Sequence, residues 1–404
     1  MRISGSYNLK TSPKISSSDF QIQPTNFIDL EEIRLPISGP FALAEGKHGS
    51  CYIYSSYPSE IPLYFSVIKN EVHWGELKGK LPGNPERVKP GYLAHIKPGG
   101  YKLVPVQNQL PAPAIRQEKV FIKDAIAEYW ELLLVAVQRR LATCPPGKIA
   151  VSCSGGVDSL LICQALMVLE IDFIPFTACT DYNSWDIQNA ILVLEAMSGP
   201  KPVAVLIDND FVISHAQEAM SLYEYLGPTD KYNQAAISYL AIAKAAEIAG
   251  CSAIFNGHGQ DDVHGNIRSI YKELKNEDDS YKQAQMWRDE RIRALKEMLY
   301  LWNDHKLFSS IFRHYGIHVR MPYFDWDLAT WALSQPISII PVDKTKPFVK
   351  KAANLLLPPG PWNHSTYAST GYTKGAGWEN PKSKHLSDLV EELSRKFFNL
   401  QNSQ

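Results

Sequence analysis

A chain of 404 residues that is 45% hydrophobic and 21% charged can bury a large core and fill about two or three domains. Its formal net charge of −1 gives no overall attraction to nucleic acid or acidic membranes, so neither is expected as a partner. The opening Met-Arg-Ile-Ser-Gly-Ser-Tyr lacks the apolar run of a signal peptide, and no stretch is long enough to span a bilayer. The six cysteines are scattered without a Cys-x-x-Cys pair, which together predicts a cytoplasmic protein with reduced, buried thiols.

Residues 1–40 are rich in Ser, Pro, Asn and Thr and predict loop, edge or disordered structure. From 41 to 118 the pattern is β-like. Ser50–Tyr54 and Leu63–Val67 are aromatic or β-branched runs, and Gly91–Ile96 turns at Lys97-Pro98-Gly99-Gly100 into Tyr101–Val104, a predicted hairpin. These features predict a small β-rich N-terminal domain over 1–118, ending in a proline-containing linker at Gln107–Arg116. Ile122, Ile126, Tyr129, Leu133, Val137 and Leu141 lie at helical spacing and predict a helix within 119–143.

The stretch from Lys148 to Ala165 reads as an apolar strand (Ile149–Cys153), a small-residue turn (Ser154, Gly155, Gly156) and a helix starting near Asp158. Such a turn lets backbone N–H groups approach a phosphate, and a helix N-terminus adds partial positive charge. Ser154 and Ser159 offer hydroxyls to the same anion, while a carboxylate at Asp158 beside phosphates calls for a cation between them, most simply Mg²⁺. The Gly-Lys-Ser/Thr ending of a Walker A loop is absent. Further strands at Asp172–Thr177, Pro202–Ile207 and Ser252–Asn256 alternate with helical segments, 232–249 among them. That alternation predicts an α/β fold with a doubly wound parallel sheet, whose ligands bind beyond the carboxyl ends of the strands. Residues 266–316 are helical in pattern and heavily charged, and are expected to form a solvated surface.

Ser-Gly-Gly-Val-Asp-Ser at 154–159 resembles the pyrophosphate loop of the N-type ATP pyrophosphatases, which split ATP between its α- and β-phosphates. Asn256-Gly257-His258-Gly259-Gln260-Asp261-Asp262 then narrows the likeness. Residues from about 119 to 380 resemble the synthetase domain of asparagine synthetase and its relatives, the β-lactam synthetases and lasso-peptide cyclases. The second motif of that family, Gly-Glu-Gly-Ser-Asp-Glu, aligns its Mg²⁺-binding aspartate with Asp261. Gly316–Asp325 is similar to the family's Gly-Val-Glu-x-Arg-x-Pro-Phe-x-Asp segment, and Lys346 and Lys374 match two lysines that contact phosphate and steady pyrophosphate. The resemblance implies an adenine nucleotide alpha-hydrolase-like synthetase domain over 119–404 with a helical C-terminal part. It also implies ATP and Mg²⁺ as cofactors, with Asp158 and Asp261 on the metal. The nucleotide set it implies is Val151, Ser152, Ser154, Gly155, Gly156, Asp158, Ser159, Thr177 and Gly257.

Three departures shape the expected function. His258 stands where asparagine synthetases have Glu and β-lactam synthetases have Tyr, and His318 stands where the family usually has Glu. Imidazole titrates near neutral pH, so His258 and His318 are candidates for accepting a proton from an amine nucleophile. At the front, residue 2 is Arg and the first cysteine is Cys51, so the glutaminase nucleophile of glutamine-dependent members is missing and residues 1–118 are expected to be an inactive relic of that domain. The expectation is therefore an ATP-dependent amide-forming synthetase without its own glutaminase, acting on a small-molecule carboxylate and amine in specialised metabolism such as antibiotic biosynthesis. An intramolecular lactam-forming cyclase is the alternative, and a homodimer is compatible with either. A tRNA-modifying phosphate-loop enzyme would share 154–159 but calls for catalytic cysteines and a basic surface, and a non-catalytic relative would have lost Asp158, Asp261 or the lysines.

Overall fold

The computed structural model describes residues 4–8, 15–20, 27–29, 34–36, 41–47, 49–55, 63–76, 78–106, 113–117, 119–222, 232–264, 271–301, 303–340, 346–360 and 376–402. The chain divides into two compact units: residues 1–144, 258–302 and 321–346 form one, and residues 145–257, 303–320 and 347–404 the other.

The first unit begins with antiparallel sheets. One has the order β1-β8-β7-β9, from β1 (Ser4–Asn8), β7 (Tyr64–Ile68), β8 (Glu71–Gly75) and β9 (Glu86–Arg87). The second has the order β11-β10-β6-β5-β2, from β2 (Ile15–Phe20), β5 (Phe41–Lys47), β6 (Ser50–Ser55), β10 (Tyr92–Lys97) and β11 (Gly100–Pro105), while β3 (Phe27–Asp29) pairs with β4 (Arg34–Pro36). Alternate residues of these strands share a face, so Cys51 and Ile53 of β6 join Phe65, Val72, Trp74, Ala94 and Ile96 in one core. The expected hairpin is present: Lys97 pairs with Gly100 across a two-residue turn, and Gly99 takes φ +94°, a conformation that favours glycine. Of the loop, edge or disordered structure expected for 1–40, the described residues show the edge alternative, as strands β1 to β4. Both β1 and β2 are sheet edges, where short Ser-rich strands without apolar alternation are well suited.

The same unit holds α1 (Ile122–Leu141), α6 (Gln260–His264), α7 (Tyr271–Asn276), α8 (Ser280–Leu301) and α10 (Trp326–Leu333). The apolar spacing read in 119–143 is the buried face of α1, which includes Ala125, Ile126, Tyr129, Leu133 and Val137. The end of α1 is pinned to the start of α10, where buried Arg140 donates to Asp325 at 3.1 Å and Arg139 reaches the same carboxylate at 3.1 Å.

The second unit is built on a parallel sheet of order β14-β13-β12-β15-β16, from β12 (Lys148–Ser152), β13 (Phe173–Cys179), β14 (Val203–Leu206), β15 (Cys251–Phe255) and β16 (His318–Arg320). All four ladders are parallel, as the strand–helix alternation predicts. Helix α2 (Val157–Val168) packs on β12 and on α3 (Trp185–Ala196), and α11 (Pro347–Leu356) packs on α2. A second group contains α4 (Asn209–Ser221), α5 (Tyr232–Ile248), α9 (Asn303–His314) and α12 (Lys384–Asn402), with α5 lying along β13, β14 and β15. The solvated surface expected over 266–316 is corrected in part. Trp287, Glu290 and Arg291 of α8 and Leu307, Phe308, Ile311, Phe312 and Arg313 of α9 are buried, because each helix carries an apolar stripe among its charges. None of the six cysteines is in a disulfide, five of them are buried, and no described helix is long and apolar enough to cross a membrane.

Candidate active site

Strand β12 ends at Ser152 and α2 starts at Val157, so Cys153 to Gly156 form the turn between them. Gly155 takes φ +67° and Gly156 is the extended N-cap, with no side chain capping α2. The first-turn N–H groups of α2 are thus oriented out of the helix, the arrangement that suits an anion. The turn is tied from below. Thr177 Oγ1 donates to the Cys153 carbonyl at 2.6 Å, and Cys153 N–H donates to Phe176 O at 2.9 Å. Ser159 Oγ accepts from Ser154 N–H at 3.2 Å, donates to Gly156 O at 3.1 Å and lies 3.3 Å from Ser154 Oγ. Val151, Ser159 and Thr177 are buried, and Ser152 and Ser154 are half-buried. Of the expected nucleotide set, Ser154, Gly155 and Gly156 form the turn itself, while Thr177 and Ser159 brace it.

Gly257 explains its own presence. A Cβ there would lie 2.9 Å from Asp158 Cβ and 3.0 Å from Ser159 N, so only glycine lets the end of β15 approach the start of α2. At Gly155 a Cβ would press on the Asp186 carbonyl oxygen and lie 2.9 Å from Ala190 N, so the first turn of α3 is the wall behind the loop. Asn189 of that helix donates its side-chain amide to Gly155 O. Asp186, buried beside this contact, is held well above the usual carboxylate range by desolvation, with the Cys153 thiol adding to the effect. Asp186 and Asn189 are missing from the sequence-derived set. The signal that points to them is topological: they open the helix that follows the second strand of the parallel sheet.

In the first unit, His258 and Gly259 form a tight turn before α6. Gly259 takes φ +95°, with a Cβ position 3.1 Å from the Phe324 ring. Asp261 lies in α6, and Lys346 Nζ meets its carboxylate at 2.9 Å, the lysine buried and the aspartate side chain 52% exposed. In the second unit, His318 opens β16 opposite Ala253 and is buried, and its Nδ1 lies 3.1 Å from the guanidinium of buried Arg313. A guanidinium only donates, so Nδ1 accepts and the hydrogen of the neutral ring sits on Nε2. Lys374 lies outside the described residues.

Asp158 in the second unit and Asp261 in the first are each a hard carboxylate of the kind Mg²⁺ takes, and Asp261 already carries a cation, the ammonium of Lys346. Among the described residues no cluster of three or more His, Cys, Asp or Glu side chains could cage a metal by itself.

Comparison with known proteins adds a family. Residues 128–314 match the asparagine synthase family model. No curated protein matches the chain. Among solved structures, the U34-tRNA thiolase NcsA of Methanococcus maripaludis is similar at 14% identity and TM-score 0.32, over 71% of this chain and 87% of that one. The glutamine phosphoribosylpyrophosphate amidotransferase of B. subtilis is similar at 11% identity and TM-score 0.16, over 33% of this chain and 32% of that one.

Proposed function

From the match of residues 128–314 to the asparagine synthase family model, we propose that the chain is a carboxylate–amine ligase that turns ATP into AMP and pyrophosphate. The observation that carries this reading is the β12–α2 junction: an uncapped helix N-terminus, two glycines, Ser154 and Ser159, with Gly257 against Asp158. A substrate carboxylate attacks the α-phosphorus of ATP, the bond to the bridging oxygen breaks, and pyrophosphate leaves. Developing charge on the phosphates falls to the amides of α2 and the Ser154 hydroxyl. Lys346 and Lys374 offer ammonium groups to the departing pyrophosphate. Mg²⁺, when bound, would be held by Asp158 and Asp261 and would neutralise phosphate charge.

An amine then attacks the acyl carbon, loses a proton and expels AMP, leaving an amide or lactam. His258 and His318 are the side chains assigned to this half. Nδ1 of His318 accepts from Arg313, and both imidazoles are assigned to receive the amine proton or to position the substrate. Residues 1–118 act as an N-terminal domain without glutaminase chemistry: burial pushes the Cys51 thiol up to about 12, far from the thiolate a nucleophile needs. Small-molecule substrates and specialised metabolism complete the reading, supported by the departures at His258 and His318, together with a cytoplasmic setting, supported by six cysteines outside any disulfide. The test is ATP turnover with Mg²⁺ against a panel of amino acids and amines, following AMP and pyrophosphate separately from ADP. AMP and pyrophosphate appearing only with particular carboxylates is the expected result, and ADP in their place overturns the reading.

A further inference from the structure

We propose that Asn189, on the helix beside the loop, is a positioning residue that aims the Gly156 N–H at a bound phosphate by holding the Gly155 carbonyl from behind. The inference rests on the phosphate-loop reading above. Asn189 is buried, and its side-chain amide donates to Gly155 O across 34 residues of sequence. Gly155 stands at φ +67°, where a Cβ would also lie 3.2 Å from Asn189 Cβ, so the peptide and the helix are in direct contact.

The consequence follows from the peptide bond. In a planar trans peptide the carbonyl of one residue and the N–H of the next point to opposite sides. Holding the Gly155 oxygen toward α3 therefore turns the Gly156 N–H away from α3. On that side Gly156 N–H donates to Ser154 Oγ at 3.4 Å, so the clamp aims this N–H at the hydroxyl that the turn offers to an anion. With two glycines in succession the turn has many backbone states, and without the clamp it would lose entropy on binding a phosphate. Asn189 removes that cost in advance, and it does so without touching the ligand.

The experiment measures affinities of the full-length protein for ATP, inorganic pyrophosphate and adenosine by titration calorimetry in Mg²⁺ buffer. Wild type is compared with Asn189→Ala and with Asn189→Leu, which keeps the branched shape without a donor. Expected is a loss of about tenfold for ATP and pyrophosphate, the worth of one buried hydrogen bond, with adenosine unchanged. Adenosine weakening in step with ATP would mark a merely structural role and overturn the inference, as would variants that bind ATP like wild type. Wild type that binds neither ATP nor pyrophosphate sinks the phosphate-loop reading and the clamp with it. Should both variants fail to fold, wild type labelled with ¹⁵N-asparagine decides. An Asn189 side-chain amide slow in hydrogen exchange and shifted by pyrophosphate supports the clamp, and one that exchanges freely overturns it.

Discussion

Asp186 shows how a single side chain can record what surrounds the loop. Desolvation, then the neighbouring Cys153, raises its folded-state pKa well above the ordinary carboxylate value, so the folded chain holds this proton more tightly than the unfolded chain does. The stability it contributes is complete below the unfolded value near 4 and is lost as pH rises toward the folded one. Asp186→Asn keeps the size and removes the ionisation. It should therefore melt higher than wild type at pH 8 and close to wild type at pH 4, with about 2–4 °C gained per kcal/mol of relief. A variant that loses more stability at pH 8 than at pH 4 would contradict this. At the same scale, the turn glycines and Asp158 were legible from residue type and order. The pairing of Arg313 with His318 was not, although the two lie five residues apart, because β16 and α9 had to fold before a guanidinium could face that ring.

Among elements, the join of α1 to α10 is the most demanding piece of electrostatics. Asp325 is almost wholly buried, caps α10 by accepting from Asp327 N–H at 3.1 Å, and receives Arg140 and Arg139, each at 3.1 Å. Removing one partner of a buried pair strands the other, which costs about 3–5 kcal/mol. Asp325→Ala should lose that amount in denaturant unfolding, and Asp325→Asn less, since an amide oxygen still caps the helix. A loss below about 1 kcal/mol for the alanine variant would mean that water replaces the carboxylate. Apolar period located four of the five parallel strands and α1 to within a few residues, since a buried strand or helix face must carry it, and missed β16, which is only three residues long. Periodicity failed for β1 and β2, where edge pairing needs backbone groups and little from the side chains. It also failed for α8 and α9, where charge density hid an apolar stripe.

At the scale of the molecule, the segment 113–117 is tied to helices that lie far from it in the chain. Arg116 pairs with Glu128 of α1 at 2.7 Å and its N–H donates to Ser334 O at 2.9 Å, Ile115 is buried, and Pro113 O accepts from Arg288 at 3.2 Å. A fragment starting at residue 113 should therefore melt higher than one starting at 119, by roughly 2–4 °C per kcal/mol recovered. Equal melting would show these contacts to be dispensable. The sequence by itself determined the α/β class, the strand–turn–helix from β12 to α2 and the identity of its glycines and carboxylate. Those features are local: they follow from period, turn chemistry and the order of residue types. Only the tertiary structure decided what stands behind the loop, which lysine pairs with Asp261 and which nitrogen of His318 accepts. Each of these depends on groups that are distant in the chain or set on separate elements, and neither spacing nor composition encodes which of them will meet.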